Sequence, residues 1–562
     1  MFPQLKDSFA FLLPAFQPIF NFTSVSPGPT VDLGYATYEG AFDSTFNITE
    51  FLGVRYAAPP IGNLRWRPPH PPSHEDGLRQ AASQPPMCPQ AGFYGHAKSA
   101  PAFMRGERTV EKATLLDACP LHGICPQDMS KPSLADEDCL LLNVYTPGDL
   151  SSSSQTQPVL VWFHGGGYAG GSATGFFGDD KYDGKYPLVR ARGGLVVVVV
   201  QYRLGMYGFL AGKEVRDAGA ANAGLLDQQF ALQWVQEHIH KFGGNPSDVT
   251  IWGVSAGAGS VYQHIVANGG NTTPPLFNTA ITSSSFLPQQ YDVDDDVPEA
   301  IYEEVLKQTG CSNLDCLRKI DTLKLQRLNA DMGVSAFAGT YTFTPVIDGS
   351  FIREAPGLAI ARGRIQGAHL LTVTNANEGF MFVDVFKPDD TLDTSFYIRN
   401  AWPRLADEEI AQAMDLYADL PPVEQASAIY ADVVFVCPTY RLMRAFDEPY
   451  RAQFAVENAL HGFDAPYYFP DMANLFPKLY HNADFETAFA SAFTNFALYK
   501  DPNRKVAEDV TPAWAPWSDE APFEMVYNKT EDGTPEVRMA RTDGRVLERC
   551  NFWQTVALHV GQ

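Results

Sequence analysis

No apolar run in the 562-residue chain is long enough to cross a bilayer. The most continuous, Leu195 to Val200, falls far short of the roughly 20 residues a membrane helix needs. Positive charge is also scarce: 41 Lys and Arg stand against 65 Asp and Glu, a formal net charge of -24, with no Lys/Arg-rich run. Such a field repels phosphate backbones, so nucleic-acid binding is excluded. Internal repeats are lacking, and low complexity is confined to Ser151–Ser154, which with Gln155, Thr156 and Gln157 reads as an exposed loop. A well-formed signal peptide is missing too. The apolar stretch Phe9 to Phe20 is interrupted by Pro14 and Pro18, and Lys6 is its only nearby positive charge. It reads as a leader remnant or an arm, residues 1–30, lying on the domain.

What the chain does have is a globular composition, 45% hydrophobic and 19% charged, ample for a core around an extended sheet. Large α/β enzymes often form one unit, so a single domain over residues 1–562 is expected. Eight cysteines, with Asn-x-Thr sequons at Asn21, Asn47, Asn271 and Asn528, point to a secreted, extracellular glycoprotein.

The apolar run Val159 to Phe163 ends in His164-Gly165-Gly166-Gly167, as a buried strand feeding a glycine turn would, and Leu195 to Val200 reads as a second buried strand. Leu225, Leu232, Val235 and Ile239 recur at helical spacing until Gly243-Gly244-Asn245-Pro246 supplies a stop. Val249 to Trp252 is another β-type run, and the small residues Ala256, Gly257, Ala258 and Gly259 after it suit a closely packed helix. Strands alternating with helices imply a mostly parallel sheet covered on both faces, with functional loops at the strands' C-terminal ends.

Gly253-Val254-Ser255-Ala256-Gly257 is a G-x-S-x-G pattern, whose glycines permit the strained turn that presents a nucleophilic serine between strand and helix. Five residues alone are weak evidence; Gly333-Val334-Ser335-Ala336-Phe337 begins the same way and lacks the closing glycine. Context favours Ser255. Acyl transfer also needs N–H donors for a developing oxyanion, which the Gly165–Gly167 turn and Ala256 can supply. A serine hydroxyl needs a base, and that base an orienting acid. Glu378, just beyond the apolar run Leu370 to Val373, and His461, in a His461-Gly462-Phe463-Asp464 loop, form the favoured pair. His481 and His559 remain alternative bases, and Asp384 and Asp464 alternative acids, because spacing cannot fix side chains that meet only in the fold.

These residues, together with Phe51 to Ala57, Pro59-Pro60, Leu64 to Trp66, the stretches Glu137 to Leu140 and Asn143 to Tyr145, His164 to Tyr168, and Asp227 to Trp234, resemble the type-B carboxylesterases. That family includes cholinesterases, bile-salt-activated lipases and fungal extracellular lipases and esterases. The resemblance implies the α/β-hydrolase fold and a serine carboxylic-ester hydrolase with nucleophile Ser255, acid Glu378 and base His461. It places the oxyanion hole on Gly166, Gly167 and Ala256, and Ser284 resembles a buried second serine near the triad, although a plain core hydroxyl fits it as well.

By the same resemblance, Cys88 pairs with Cys139, Cys311 with Cys316, and Cys437 with Cys550. Cys119 and Cys125 are left over. Their Cys119-His122-Cys125 spacing suggests a metal, but three ligands on a tight loop lack an evident fourth, so a disulfide is expected and no metal or cofactor is called for. Val254 stands where the family often has glutamate, which argues against a cationic choline ester. The long 88–139 excursion carries Phe93, Tyr94, Phe103, Met104, Leu115 and Leu116 without a tryptophan, and resembles a lid. Hydrophobic esters of lipids, sterols or other long-chain acids are the expected substrates, with transient contact at a lipid interface. A non-catalytic binding protein on the same scaffold, a choline esterase and a serine peptidase are the alternatives; oligomeric state is not legible.

Overall fold

Five consecutive valines, Val196–Val200, form a strand buried on both faces, as β-branched side chains stacked between two layers of helices should. A computed structural model describes residues 25–92, 95, 97–107, 135–150, 156–176, 182–383 and 391–562, with the main chain alone at 25–27. Among them thirteen strands make one sheet. They are β1 (Val25–Asp32), β2 (Thr37–Asp43), β3 (Ile48–Arg55), β4 (Leu78–Gln80), β5 (Leu141–Pro147), β6 (Gln157–Phe163), β7 (Val196–Val200), β8 (Gly244–Val254), β9 (Thr279–Ser283), β10 (His369–Asn375), β11 (Tyr450–Phe454), β12 (Phe523–Lys529) and β13 (Pro535–Arg541). The spatial order is β1-β2-β3-β5-β7-β6-β8-β9-β10-β11-β12-β13, with β4 beside β2.

The centre, from β7 through β12, is parallel, and the outer strands pair antiparallel except for the short β4, which runs parallel to β2. This is the mixed sheet of an α/β-hydrolase. Side chains of β6 alternate between two cores. Val159, Val161 and Phe163 face the layer holding Leu232 and Val235 of α1 (Ala223–His238) and Val261 and Ile265 of α2 (Ala256–Gly270). Further helices include α3 (Asp296–Thr309) and α4 (Ala483–Tyr499). Leu160 and Trp162 face the opposite layer, which holds Phe489, Phe493 and Phe496 of α4. Period-two alternation with both faces apolar is why the sheet sits between two layers rather than against solvent.

The predicted helix ends one residue early, at His238, and passes through a tight turn, Ile239–Phe242, to Gly243 at φ 78°. Only Gly243 serves as the stop; Gly244 to Pro246 already belong to β8, which pairs with β6 from Gln157 onward. Backbone pairing there outweighs the turn tendency of the Gly-Asn-Pro sequence.

Three of the stretches that carry the sequence resemblance are held by buried ion pairs. Arg65 donates from Nε and Nη2 to the two oxygens of Glu137, each at 2.6 Å, and Arg203 makes the same forked contact with Asp227 at 2.7 and 2.6 Å. Planar two-point pairing makes up for part of the cost of removing these charges from water. Disulfides join Cys88 to Cys139, Cys311 to Cys316 and Cys437 to Cys550. Cys119 and Cys125 lie outside the described residues, as do Ser151–Ser154 and most of residues 1–30. Asn47 and Asn271 are exposed and Asn528 is half-buried on β12; Asn21 falls outside the described residues.

Candidate active site

Five neighbouring parallel strands deliver the site from their C-terminal ends. The loop after β6 carries His164 to Gly167, β8 leads into Ser255, β9 into Ser284, β10 into Glu378, and the chain beyond β11 into His461. The turn at Ser255 depends on close backbone approach. A Cβ on Gly253 would lie 2.3 Å from the carbonyl carbon of Gly257, and one on Gly257 would lie 2.0 Å from the carbonyl oxygen of Phe163. Ser255 itself takes φ 56° and ψ -125°, a conformation that costs about 1–3 kcal/mol in a residue with a Cβ.

Ser255 and His461 are nearly buried and Glu378 is fully so. Ser255 Oγ lies 2.8 Å from His461 Nε2, and His461 Nδ1 lies 2.5 Å from Glu378 Oε2. A carboxylate can only accept, so Nδ1 carries the imidazole proton and Nε2 is left to accept from the serine hydroxyl. The second oxygen of Glu378 accepts from the backbone N–H of Asn375 and from the hydroxyl of Ser284, both at 2.6 Å. Ser284 is therefore more than a plain core hydroxyl. The rings of Phe435 and Phe382 flank His461 at 4.5 and 5.3 Å between centroids. The loops bearing acid and base are tied together by backbone bonds from Ala376 to Phe454 and from Asn377 to Ala459.

Gly166 and Gly167 have φ of 112° and 65°, and Ala256 opens α2 directly after Ser255. Among the described residues, none of their three N–H groups is spent on another backbone acceptor. A Cβ on Gly167 would fall 1.9 Å from the ring of Tyr341, and one on Gly166 would fall 2.2 Å from the carbonyl oxygen of Gly170. His164, which precedes the turn, is buried, and burial lowers its pKa to about 4. It stacks on Tyr202 as a neutral ring.

Of the alternative bases, His481 is exposed beside Glu486 and His559 is exposed on Glu409, neither near Ser255. Asp384 lies outside the described residues. Asp464 is buried but does not contact His461 through a hydrogen bond; it accepts from Asn375 Nδ2 at 3.0 Å and from the Tyr468 hydroxyl at 2.8 Å. Burial raises its carboxyl above the usual range. This Asn375–Asp464–Tyr468 support escaped sequence reasoning, because nothing in the spacing of an asparagine on one strand and an aspartate after another strand foretells their contact. Val254 is buried against the glycine turn, and Ser335 follows the end of a helix, Thr322–Val334. Of the excursion's apolar residues, Phe103 and Met104 are buried in a short turn, Ala102–Arg105, while Phe93, Tyr94, Leu115 and Leu116 lie outside the described residues. Among the described residues no cluster of three or more His, Cys, Asp or Glu is arranged to hold a metal.

A parallel sheet with a strained serine at the strand-to-helix turn, faced by a histidine and an acid from the next strands, defines an α/β-hydrolase of the serine ester hydrolase class. The Carboxylesterase family pattern matches residues 28–553, and the chain belongs to that family. It is 29% identical to the carboxylesterase patB of Aspergillus clavatus, over 94% of this chain and 96% of that protein. It is 30% identical to a secreted lipase of Arthroderma benhamiae, over 77% of this chain and 86% of that one. Among solved structures, EstA of Aspergillus niger superposes with a TM-score of 0.78 at 28% identity, covering 95% of this chain and 99% of that chain.

Proposed function

We propose that Ser255 attacks the carbonyl carbon of a hydrophobic carboxylic ester while His461 takes its proton, Glu378 orients the imidazole and stabilises the resulting imidazolium, and the N–H groups of Gly166, Gly167 and Ala256 hold the oxyanion. His461 then delivers the proton to the departing alcohol. Water, activated by the same histidine, releases the acid from the acyl-enzyme. The observation that carries this reading is the unbroken relay from Ser255 through His461 to Glu378, 2.8 and 2.5 Å long, at the end of a strained turn. Val254, apolar where a carboxylate would attract a cation, supports neutral esters over choline esters.

Lipid, sterol or other long-chain acyl esters are the proposed substrates, in keeping with relatives named secreted lipases. The disulfides and those relatives support an extracellular setting, and no helix among the described residues is long and apolar enough to cross a membrane. The test is the initial rate on p-nitrophenyl esters of rising acyl length, beside Ser255→Ala. Turnover that disappears in the variant, with an optimum at long chains, supports the reading. A short-chain optimum overturns the substrate class, and turnover surviving the substitution overturns the nucleophile.

A further inference from the structure

A proline inside a helix disturbs the turn before it. Pro438 has no N–H, and its ring excludes the carbonyl four residues back, that of Val434. The chain answers with a wide π-helical turn, Asp432–Val436, in which the Cys437 N–H reaches Asp432 O, five residues away. In that register Val433 O would await the N–H of residue 438, which is the proline. Two carbonyls of the turn look to donors outside it. Val434 O accepts from the backbone N–H of Leu287 at 2.9 Å, and Val433 O accepts from the side-chain amide of Gln562 at 2.7 Å.

Gln562 is buried and gives its second amide hydrogen to Leu287 O at 2.8 Å. Arg441 Nη1 lies 3.5 Å from its Oε1. A guanidinium only donates, which sets the amide nitrogen toward the two carbonyls. The backbone of this segment is seated as well: Gln562 N–H donates to Ala557 O at 2.8 Å, and Gln290 N–H to Gly561 O at 2.9 Å. One side chain thus joins the π-helical turn to the loop after β9.

The turn presents Phe435 to the site. Its ring lies 4.5 Å from that of His461 and 5.7 Å from that of Phe286, the neighbour of Leu287. Hydrogen bonds at Nδ1 and Nε2 fix two points of the imidazole, and only packing on its faces stops the ring from tilting about the line through them. Resting on the ester-hydrolase reading above, we propose that Gln562 is a positioning residue for His461. Its amide pins the π-helical turn to the loop after β9, and the turn holds Phe435 against the imidazole in the attitude that receives the Ser255 proton. The remainder of the turn is held independently. Asp432 accepts from the Tyr417 hydroxyl at 2.6 Å and from Arg549 Nε at 2.7 Å, and Cys437 is bonded to Cys550. Loss of the Gln562 amide therefore loosens the turn at Val433 without releasing it.

The test is steady-state kinetics of the full chain on p-nitrophenyl butyrate. Active enzyme is counted by labelling Ser255 with a small organophosphonate, so that misfolded protein does not enter kcat. Gln562→Met keeps the length of the side chain and removes its donors. Its kcat should fall about five- to tenfold, the size of one net hydrogen bond, with KM within about twofold of wild type. Phe435→Leu should lower kcat as well, and in that background Gln562→Met should lower it by less than about twofold more, because the two residues act in series. Gln562→Asn, whose amide is one methylene short, should fall between wild type and Gln562→Met. Where Gln562→Met does not accumulate as labelled enzyme, Gln562→Asn carries the same comparison with Phe435→Leu. An unchanged kcat, a change confined to KM, or losses that multiply in the double variant overturn the positioning role. Wild type that neither hydrolyses the ester nor takes the label overturns the ester-hydrolase reading instead, and this inference with it.

Discussion

Ser284 donates its hydroxyl hydrogen to Glu378 Oε1 at 2.6 Å, on the carboxylate oxygen that His461 does not use. Each oxygen of the acid therefore has its own partner, and the carboxylate cannot rotate without breaking a bond on both sides. Ser284→Ala removes one charge-assisted bond and leaves the Asn375 N–H in place. A fall of about 5- to 30-fold in kcat with little change in KM is expected, from the ~1–2 kcal/mol such a bond contributes. Steady-state kinetics on one ester check it; a change confined to KM would assign Ser284 to substrate binding.

Gly167 has no room for a side chain. Its φ of 65° strains any other residue, and a Cβ would press on the Tyr341 ring. Gly167→Ala is expected to displace the turn and lower kcat by about 10²- to 10³-fold, the loss typical of one oxyanion donor. Labelling of Ser255 by a small organophosphonate, followed by mass spectrometry, checks that the serine itself remains presented.

Asp464 holds the Asn375 amide from below, with Tyr468 on its other oxygen. Asp464→Ala leaves the Tyr468 hydroxyl without its acceptor and Asn375 Nδ2 with only its longer contacts to Ser284 and Glu378, a destabilisation of about 1–3 kcal/mol before any kinetic effect. Asp464→Asn preserves the volume but presents an N–H₂ toward one of the two donors. Denaturant midpoints for both variants decide it; two midpoints equal to wild type would mean the network carries no stability.

Acid should weaken the fold through buried neutral histidines. Burial lowers His164 to about 4 and His264 to about 3, below the roughly 6.5 of an unfolded histidine. Between those limits the unfolded chain binds protons that the folded chain does not, so this stability is complete above pH 6.5 and is lost as pH falls. Each histidine contributes a slope of about 1.4 kcal/mol per pH unit across its window. Asp464 works in the opposite sense, since its raised pKa lets the folded state hold a proton above 3.8. Urea unfolding at pH 7, 6 and 5 should show the decline. His264→Gln, which keeps a donor for Gln228, should remove one histidine's share of the slope.

Breaking the Arg203–Asp227 fork should be costly in a way a surface pair is not, because both side chains are buried. Asp227→Ala strands a guanidinium and is expected to destabilise by about 3–5 kcal/mol. Replacing both residues with apolar ones of similar volume should recover much of that loss. Thermal unfolding of the single and double variants checks the pair, and a single variant as stable as wild type would mean the charge finds water.

The sequence by itself determined the local elements of this protein and singled out Ser255 as the serine the strand-to-helix turn presents. Five valines can be little other than an interior strand, and Gly253 and Gly257 flank Ser255 because the turn leaves no room for a Cβ, a requirement written at fixed spacing along the chain. Residues that act through space rather than along the chain were another matter. His461, His481 and His559 are chemically the same, and only the strand order β8-β9-β10-β11, which gathers the loops at these strands' C-terminal ends, decides which one meets Ser255. The same holds for Asn375 with Asp464 and for Gln562 with Val433. Each depends on segments far apart in sequence that come together when both faces of the sheet are buried, and hydrophobic patterning specifies that burial without naming which polar groups it will enclose.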